Sequence, residues 1–226
     1  MMLWQMGPRV WRQWLILAAF APFATIIMAP QVLAFPHRAQ VGAWTIRSEA
    51  PIPSDITTVI GRAEALLATS PIDRPQPRNL FLTNGGWRWS VLALQSAGAF
   101  GLTRPINEAI IINRNDVAAD LVFNDSAIGS RRTLSGTLAH EATHGLLRQH
   151  YGGIATWLMP TWQVEGYCDH VAQESTLYDA TARRLIAAGE DHPALVYWQG
   201  RKRVAALLAR SGGNVDVVMQ ADNQLR

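Results

Sequence analysis

The sequence has one cysteine, Cys168, and one lysine among its 20 basic residues. A single cysteine excludes an internal disulfide. The other basic residues are arginines scattered along the chain, and the formal net charge is only +3, so the composition does not indicate nucleic-acid binding. Charged residues make up 16% and hydrophobic residues 49% of the 226 positions. This balance predicts one domain of ordinary size with a substantial core and argues against a disordered chain.

Acidic residues are absent from the amino-terminal segment, where Arg9 and Arg12 precede an apolar run. A basic start, an apolar stretch and small residues before a cleavage point at Ala34 are typical of a secretory signal peptide. Residues 14–34 are also just long enough to span a membrane. Residues 1–34 are therefore either a signal peptide or an N-terminal membrane anchor. In both cases the basic end stays inside, and the rest of the chain is exported (periplasmic or secreted) or anchored facing outward.

The rest of the chain predicts a helix, then strands, then helices only. The prolines among residues 35–53 favour a linker, which leaves residues 54–226 as the domain. We therefore expect an α+β fold, in which a small mixed sheet is followed by a mainly helical half. The predicted helices are "SDITTVIGRAEALLATS" with Ser54 as its cap, residues 131–151, the stretch after Pro160, "DATARRLIAAG" and "ALVYWQGRKRVAALLAR"; the predicted strands are "NLFLTN", "EAIIINR" and "DLVFND", and "WRWSVLALQ" fits a helix better than a strand.

The helix over residues 131–151 contains "HEATH", with His140, Glu141 and His144. Positions four apart lie on one face of a helix, so both imidazoles can bind the same ion. Glu141 lies about 100° around the helix from His140 and can reach a water at that ion. The motif predicts a zinc site with a general base. The plainer interpretation is an amphipathic helix whose histidines are only packed or solvated.

Two residues compete to be the third ligand. His150 has the spacing of the metzincin motif, but that motif breaks its helix with a glycine where this chain has Leu147. In a continuous helix His150 would face away from His144. Glu165, on the helix predicted after Pro160, can return beside the first helix and leave one metal position open for water. Asp169 follows Glu165 by one helical turn and is suited to orient a histidine ligand through its second ring nitrogen.

"HEATH" together with "WQVEGYCDHVA" resembles the gluzincin, thermolysin-like branch of the zinc metallopeptidases, and in particular its small single-domain members. The resemblance covers Leu134–Ala172. It implies that His140, His144 and Glu165 bind zinc, that Glu141 is the general base, and that Asp169 supports a ligand. It further implies that the edge strand of a sheet binds an extended substrate, a role for which "EAIIINR" and "DLVFND" are the candidates.

The function expected from this set is zinc-dependent hydrolysis of a peptide or protein substrate. The alternative is a non-enzymatic, zinc-stabilised binding or adaptor domain at the cell envelope. Cys168 fits a small core residue better than a ligand, and Arg131 and Arg132 fit a solvated pair. The sequence does not choose a donor for the transition-state oxyanion; the candidates are Tyr178, His170, His192 and Tyr197.

Overall fold

The computed structural model describes Trp14, Thr25, Ile26 and residues 28–221. Most of the predicted leader over residues 1–34 therefore lies outside the described residues. Within the described part, no helix has the length and apolar character that a membrane crossing requires. Just before the domain, a short 3₁₀ helix over Pro30–Leu33 lies against it, because Arg88 donates a 2.8 Å hydrogen bond to the Leu33 carbonyl.

Five strands form a mixed sheet in the order β1-β2-β3-β5-β4. The central strands β2, β3 and β5 run parallel, and β1 and β4 pair antiparallel at the two edges. Parallel strands are covered on both faces, which is why β5 is wholly apolar and buried and why the last three residues of β3 are buried as well. The strands are β1 (His37–Val41), β2 (Trp44–Ser48), β3 (Arg78–Leu82), β4 (Gly101–Thr103) and β5 (Ile110–Ile112).

A second, antiparallel sheet of three short strands leads into the helical half. Its order is β6-β7-β8. These strands are β6 (Asn115–Asp116), β7 (Leu121–Phe123) and β8 (Arg131–Thr133), and β8 runs directly into the helix that carries the histidine motif.

The helices surround these sheets and confirm the α+β fold. In the described part of the chain they are α1 (Ile56–Leu67), α2 (Trp87–Ala93), α3 (Leu134–Tyr151), α4 (Gly153–Leu158), α5 (Thr161–Val171), α6 (Asp179–Ala188), α7 (Leu195–Arg210) and α8 (Val215–Met219). Helix α3 lies at the centre: it packs against α1 on one side, α5 on another, and β4 at the sheet edge. Helix α7 covers α5.

Two local predictions in the first third of the chain are wrong. Residues 35–53 are not a linker, because they contain β1 and β2, and Trp44 and Ile46 are fully buried. The prolines of this segment favour a linker, whereas the alternation of buried and half-buried residues in "WTIRS" is that of a strand. Ser54 does not cap α1, which begins at Ile56 and has no side-chain hydrogen bond at its cap position.

Candidate metal centre

Helix α3 brings the two histidines of the motif together. Thr133 caps the helix by accepting a 3.1 Å hydrogen bond from the Gly136 amide. His140 and His144 then lie one turn apart, with ring centroids 5.0 Å apart and planes at 75°. Burial lowers the pKa of His144, so its imidazole is neutral and has a lone pair to offer a metal ion.

Glu165, presented by α5, faces both histidines. One carboxylate oxygen lies 3.2 Å from Nε2 of His140, and the other lies 3.7 Å from Nε2 of His144. Burial by itself raises the pKa of Glu165, but the two histidines outweigh it and hold the pKa below its usual value. Two imidazole nitrogens and one carboxylate therefore converge, which is a donor set suited to a zinc ion with an open position.

Asp169 supports His140 from the other side of its ring. Its Oδ1 atom lies 2.9 Å from Nδ1 of His140 and 3.0 Å from the guanidinium of Arg132. Burial by itself lowers the pKa of His140, but hydrogen bonds to Asp169 and Glu165 outweigh it and raise the pKa to about 10. The two carboxylates thus make this position strongly attractive to a cation. With Nδ1 held by Asp169, the Nε2 atom faces Glu165 and the ligand position.

Arg132 is not the solvated residue that the sequence suggested. It is 5% exposed, and its ion pair with Asp169 is buried. Burial by itself raises the pKa of Asp169, but Arg132 and the hydrogen bond to His140 outweigh it and lower the pKa to about 2. The carboxylate next to His140 therefore remains ionised. Nothing in "RRT" alone distinguishes this arginine from Arg131, because its partner lies on another helix.

Cys168 contacts the other histidine. Its sulfur lies 3.5 Å from Nδ1 of His144, and it joins His140 and His144 in a group whose potential ligand atoms lie within 4.8 Å of one another. Glu165 and Cys168 are therefore alternative third ligands by distance alone. Only Glu165 approaches the Nε2 atoms of both histidines, whereas the thiol lies beside Nδ1. Burial also raises the pKa of the thiol well above its usual value, which disfavours the thiolate that zinc requires. The geometry favours Glu165.

His150 lies away from this group. Helix α3 continues through Leu147, which is fully buried, and ends at Tyr151. Nε2 of His150 lies 3.9 Å from Asp216 of α8, and His150 is not among the residues that line the cavity with His140 and His144. The predicted continuous helix is confirmed, and a metzincin-like ligand set does not form.

Glu141 lines a cavity of about 560 Å³ that also opens onto His140, His144 and Glu165. The hydroxyl of Thr103 lies 2.8 Å from the Glu141 carboxylate and 2.7 Å from its backbone oxygen. Glu141 is therefore held by the edge strand β4.

The strand beside the site is β4. Neither of the two stretches that the sequence offered as the substrate-binding edge strand forms it. The stretch "EAIIINR" forms β5, an interior strand, and "DLVFND" forms β7, the middle strand of the small sheet. In β4, a Cβ atom at Gly101 would lie 3.2 Å from Cγ of Glu141, so glycine at this position allows the strand to approach the Glu141 side chain closely. Three residues of strand are too short to give a recognisable sequence pattern.

Two of the four oxyanion candidates line the cavity. Tyr197 and His192 do so, whereas Tyr178 is 62% exposed and His170 stacks against Tyr167. Burial, with help from nearby carboxylates, raises the pKa of Tyr197 to about 12. Its hydroxyl therefore remains a hydrogen-bond donor at neutral pH.

Close packing of two helices positions Tyr197 near Glu165. A Cβ atom built at Gly166 would lie 2.5 Å from the backbone of Gly200, and one at Gly200 would lie 2.6 Å from the Trp162 carbonyl. Only glycine at both positions allows α5 and α7 to approach this closely.

Comparisons of the chain with models of protein families, with curated proteins and with solved structures find no match.

Proposed function

We propose that this protein is a zinc-dependent peptidase of the gluzincin-like type. The observation that carries the proposal is the convergence of the Nε2 atoms of His140 and His144 on the Glu165 carboxylate, in the same cavity as Glu141. The Nδ1 atom of each histidine has its own neighbour, and both Nε2 atoms face Glu165. A metal ion would replace the proton that Nε2 of His140 shares with Glu165. Export or anchoring facing outward remains a prediction from residues 1–34.

The donor set fits zinc. Neutral imidazole and ionised carboxylate are ordinary zinc ligands, and a catalytic site keeps three protein ligands and one open position. A zinc ion held by His140, His144 and Glu165 would polarise a substrate carbonyl and lower the pKa of water. The Cys168 sulfur lies within 4.8 Å of both histidines, but burial raises the pKa of its thiol, which disfavours it as a fourth ligand and favours an open position.

Glu141 is suited to move the proton. It would accept a proton from the attacking water and deliver it to the amine that leaves. The Thr103 hydroxyl, 2.8 Å from the carboxylate, limits the conformations that Glu141 can adopt. Tyr197, which lines the same cavity and remains protonated, is suited to donate to the developing oxyanion.

The free edge of β4 is suited to bind an extended peptide. The Phe100 carbonyl accepts from Asn113 and the Arg104 amide donates to Ala109, so these residues face the sheet. Backbone groups alternate in an antiparallel pair, and those of Gly101 and Thr103 therefore face the open side. A substrate strand could pair with them and lie beside Glu141.

The rival function, a zinc-stabilised adaptor domain, is less well supported. A structural zinc ion does not require a cavity with a separate carboxylate, and it usually takes four protein ligands. The Glu141→Gln variant distinguishes the two functions because it removes the base and leaves the three metal donors.

The test uses zinc-loaded full-length protein and a mixture of denatured proteins, with new amino termini identified by mass spectrometry. Wild type is expected to generate them. Glu141→Gln should keep its zinc and lose about 10²–10⁴-fold in rate, the usual contribution of a general base. Glu190→Gln, an exposed change of the same kind that leaves Glu141 and the three metal donors in place, is the matched control. A wild type that carries one zinc ion per chain but cleaves nothing would favour the adaptor function.

A further inference from the structure

A second cavity, of about 630 Å³, opens at the carboxyl end of β4. It shares Ser96, Leu102 and Thr103 with the cavity that contains Glu141, so the two are adjacent along the edge strand. Its remaining walls come from residues 93–95, the end of α2 and the turn that follows, and from Arg104 and Pro105.

The arginines that line the first cavity have carboxylate partners. Arg132 is paired with Asp169, and Nε of Arg148 donates a 2.9 Å hydrogen bond to Glu108, which also contacts Nη2. These two guanidinium groups are therefore neutralised within the protein and have little charge to offer a ligand.

Arg104, in the second cavity, differs from them. Within residues 28–221, no carboxylate forms an ion pair with it, and its guanidinium donates only to the Leu92 carbonyl. Its Nε atom is buried without a hydrogen-bond partner. Burial lowers the pKa of this arginine, which reflects the cost of holding its charge there. Arg104 is only partly buried, and the exposed part of its guanidinium lines the cavity with a charge that no carboxylate of the described residues compensates. An anionic ligand in the cavity would compensate that charge.

We propose that this cavity is a substrate subsite in which Arg104 binds a carboxylate of the peptide. The proposal rests on the proposed peptidase function and adds a preference for acidic substrates. A peptide paired with β4 advances about 3.3 Å per residue, and its side chains alternate between the two faces. Thr103 contacts Glu141 and Arg104 is the next residue, so the carboxylate would belong to a residue within about three positions of the cleaved bond.

The direction of the peptide decides which carboxylate is bound. In an antiparallel pairing with β4, the residues near Arg104 precede the cleaved bond, and only an acidic side chain can supply the group. In a parallel pairing they follow it, and the carboxyl terminus of the substrate can supply it as well. Antiparallel pairing is slightly more stable, which favours an aspartate or glutamate side chain.

The first experiment is cleavage of a randomised peptide library blocked at both ends. Wild type should enrich Asp and Glu over Asn and Gln roughly tenfold at one position within about three residues of the cut, as a charge-assisted hydrogen bond implies. Arg104→Met should reduce this enrichment to below about twofold, and Arg104→Lys should retain part of it. Arg38→Met removes the same charge from β1, the opposite edge of the sheet, and should change nothing.

The second experiment does not require cleavage. The same library is affinity-selected on zinc-loaded Glu141→Gln protein, with and without Arg104→Met. Selection of acidic peptides that depends on Arg104 supports the subsite even if wild type hydrolyses nothing, in which case the peptidase proposal alone fails. Equal recovery of acidic and amide peptides in the presence of Arg104 overturns the subsite, whether or not cleavage occurs. A second library with free carboxyl termini is selected in parallel. A preference seen only with this second library, and lost in Arg104→Met, would assign the bound carboxylate to the chain end.

Discussion

Replacing Asp169 by asparagine should separate the two tasks of this carboxylate, which are to neutralise Arg132 and to orient His140. The substitution preserves the shape of the side chain but removes its charge. Arg132, 5% exposed, would then be a buried cation without an ionised partner, held by a 3.3 Å hydrogen bond to the Glu174 carbonyl and by the Phe100 ring 6.0 Å away. Removing one partner of a buried ion pair costs about 3–5 kcal/mol. Since one carbonyl still accepts from Arg132, we expect a loss near 3 kcal/mol in the free energy of unfolding of the metal-free protein.

The same substitution should weaken zinc binding. The Nδ1 atom of His140 would lose its carboxylate partner, and loss of such a partner typically lowers metal affinity about 10–100-fold. Arg132→Met in the Asp169→Asn background provides the decisive comparison. Because the pair is then removed together, most of the stability should return, whereas the zinc affinity should not.

The assays are denaturant unfolding in the presence of a chelator and competitive zinc titration of the four proteins of the cycle. The pKa of Asp169, about 2, lies below its ordinary value of about 3.9. Its stabilising effect is therefore lost as the pH falls from about 4 through 2. The part of the effect that acts through protonated His140 is lost at the other end, as the pH rises from about 6.5 through 10. The stability difference between wild type and Asp169→Asn should follow that course. A double variant as unstable as Asp169→Asn, or one with wild-type zinc affinity, would refute the reasoning.

Two further changes test how neighbouring elements hold the site. Thr103→Val removes the hydroxyl beside Glu141 and should lower kcat roughly tenfold with no change in zinc content. Thr103→Ser keeps the hydroxyl and should keep kcat. An unchanged kcat in the valine variant would show that this hydrogen bond does not affect catalysis. Gly200→Ala forces α5 and α7 apart because the new Cβ atom would clash with the Trp162 carbonyl. It should lower the free energy of unfolding by about 1–3 kcal/mol, measured by chemical unfolding, and weaken zinc binding, measured by zinc titration. Gly61→Ala, at a helical glycine with open space around it, should instead stabilise α1 by up to about 1 kcal/mol, and equal effects of the two alanines would contradict the packing account.

Most of the helices could be predicted because their signals are local. The period of apolar residues places His140 and His144 on one helix and Glu165 on the next, and a helix can be read from its own sequence. The convergence of the three side chains was a hypothesis from spacing. The structure now supplies the distances between them.

The features that the sequence did not predict depend on partners far along the chain. The strand β4 has three residues, and its position at the sheet edge is decided by pairing with β5. Arg132 resembles its neighbour Arg131 until Asp169 is brought against it from α5. Gly200 has no special local pattern, and its role follows only from the approach of α7 to α5. Short strands, buried ion pairs and close helix crossings are tertiary properties, which single-sequence patterns do not encode.

The most direct test of the central claim is the zinc content of purified full-length protein, wild type beside Glu165→Gln, Cys168→Ser and Glu141→Gln. We expect one zinc ion per chain in the wild type, in Cys168→Ser and in Glu141→Gln, and little in Glu165→Gln. Zinc lost from Cys168→Ser but retained by Glu165→Gln would assign the third ligand to the thiol. A folded, zinc-supplemented wild type that binds none would contradict the metal centre itself.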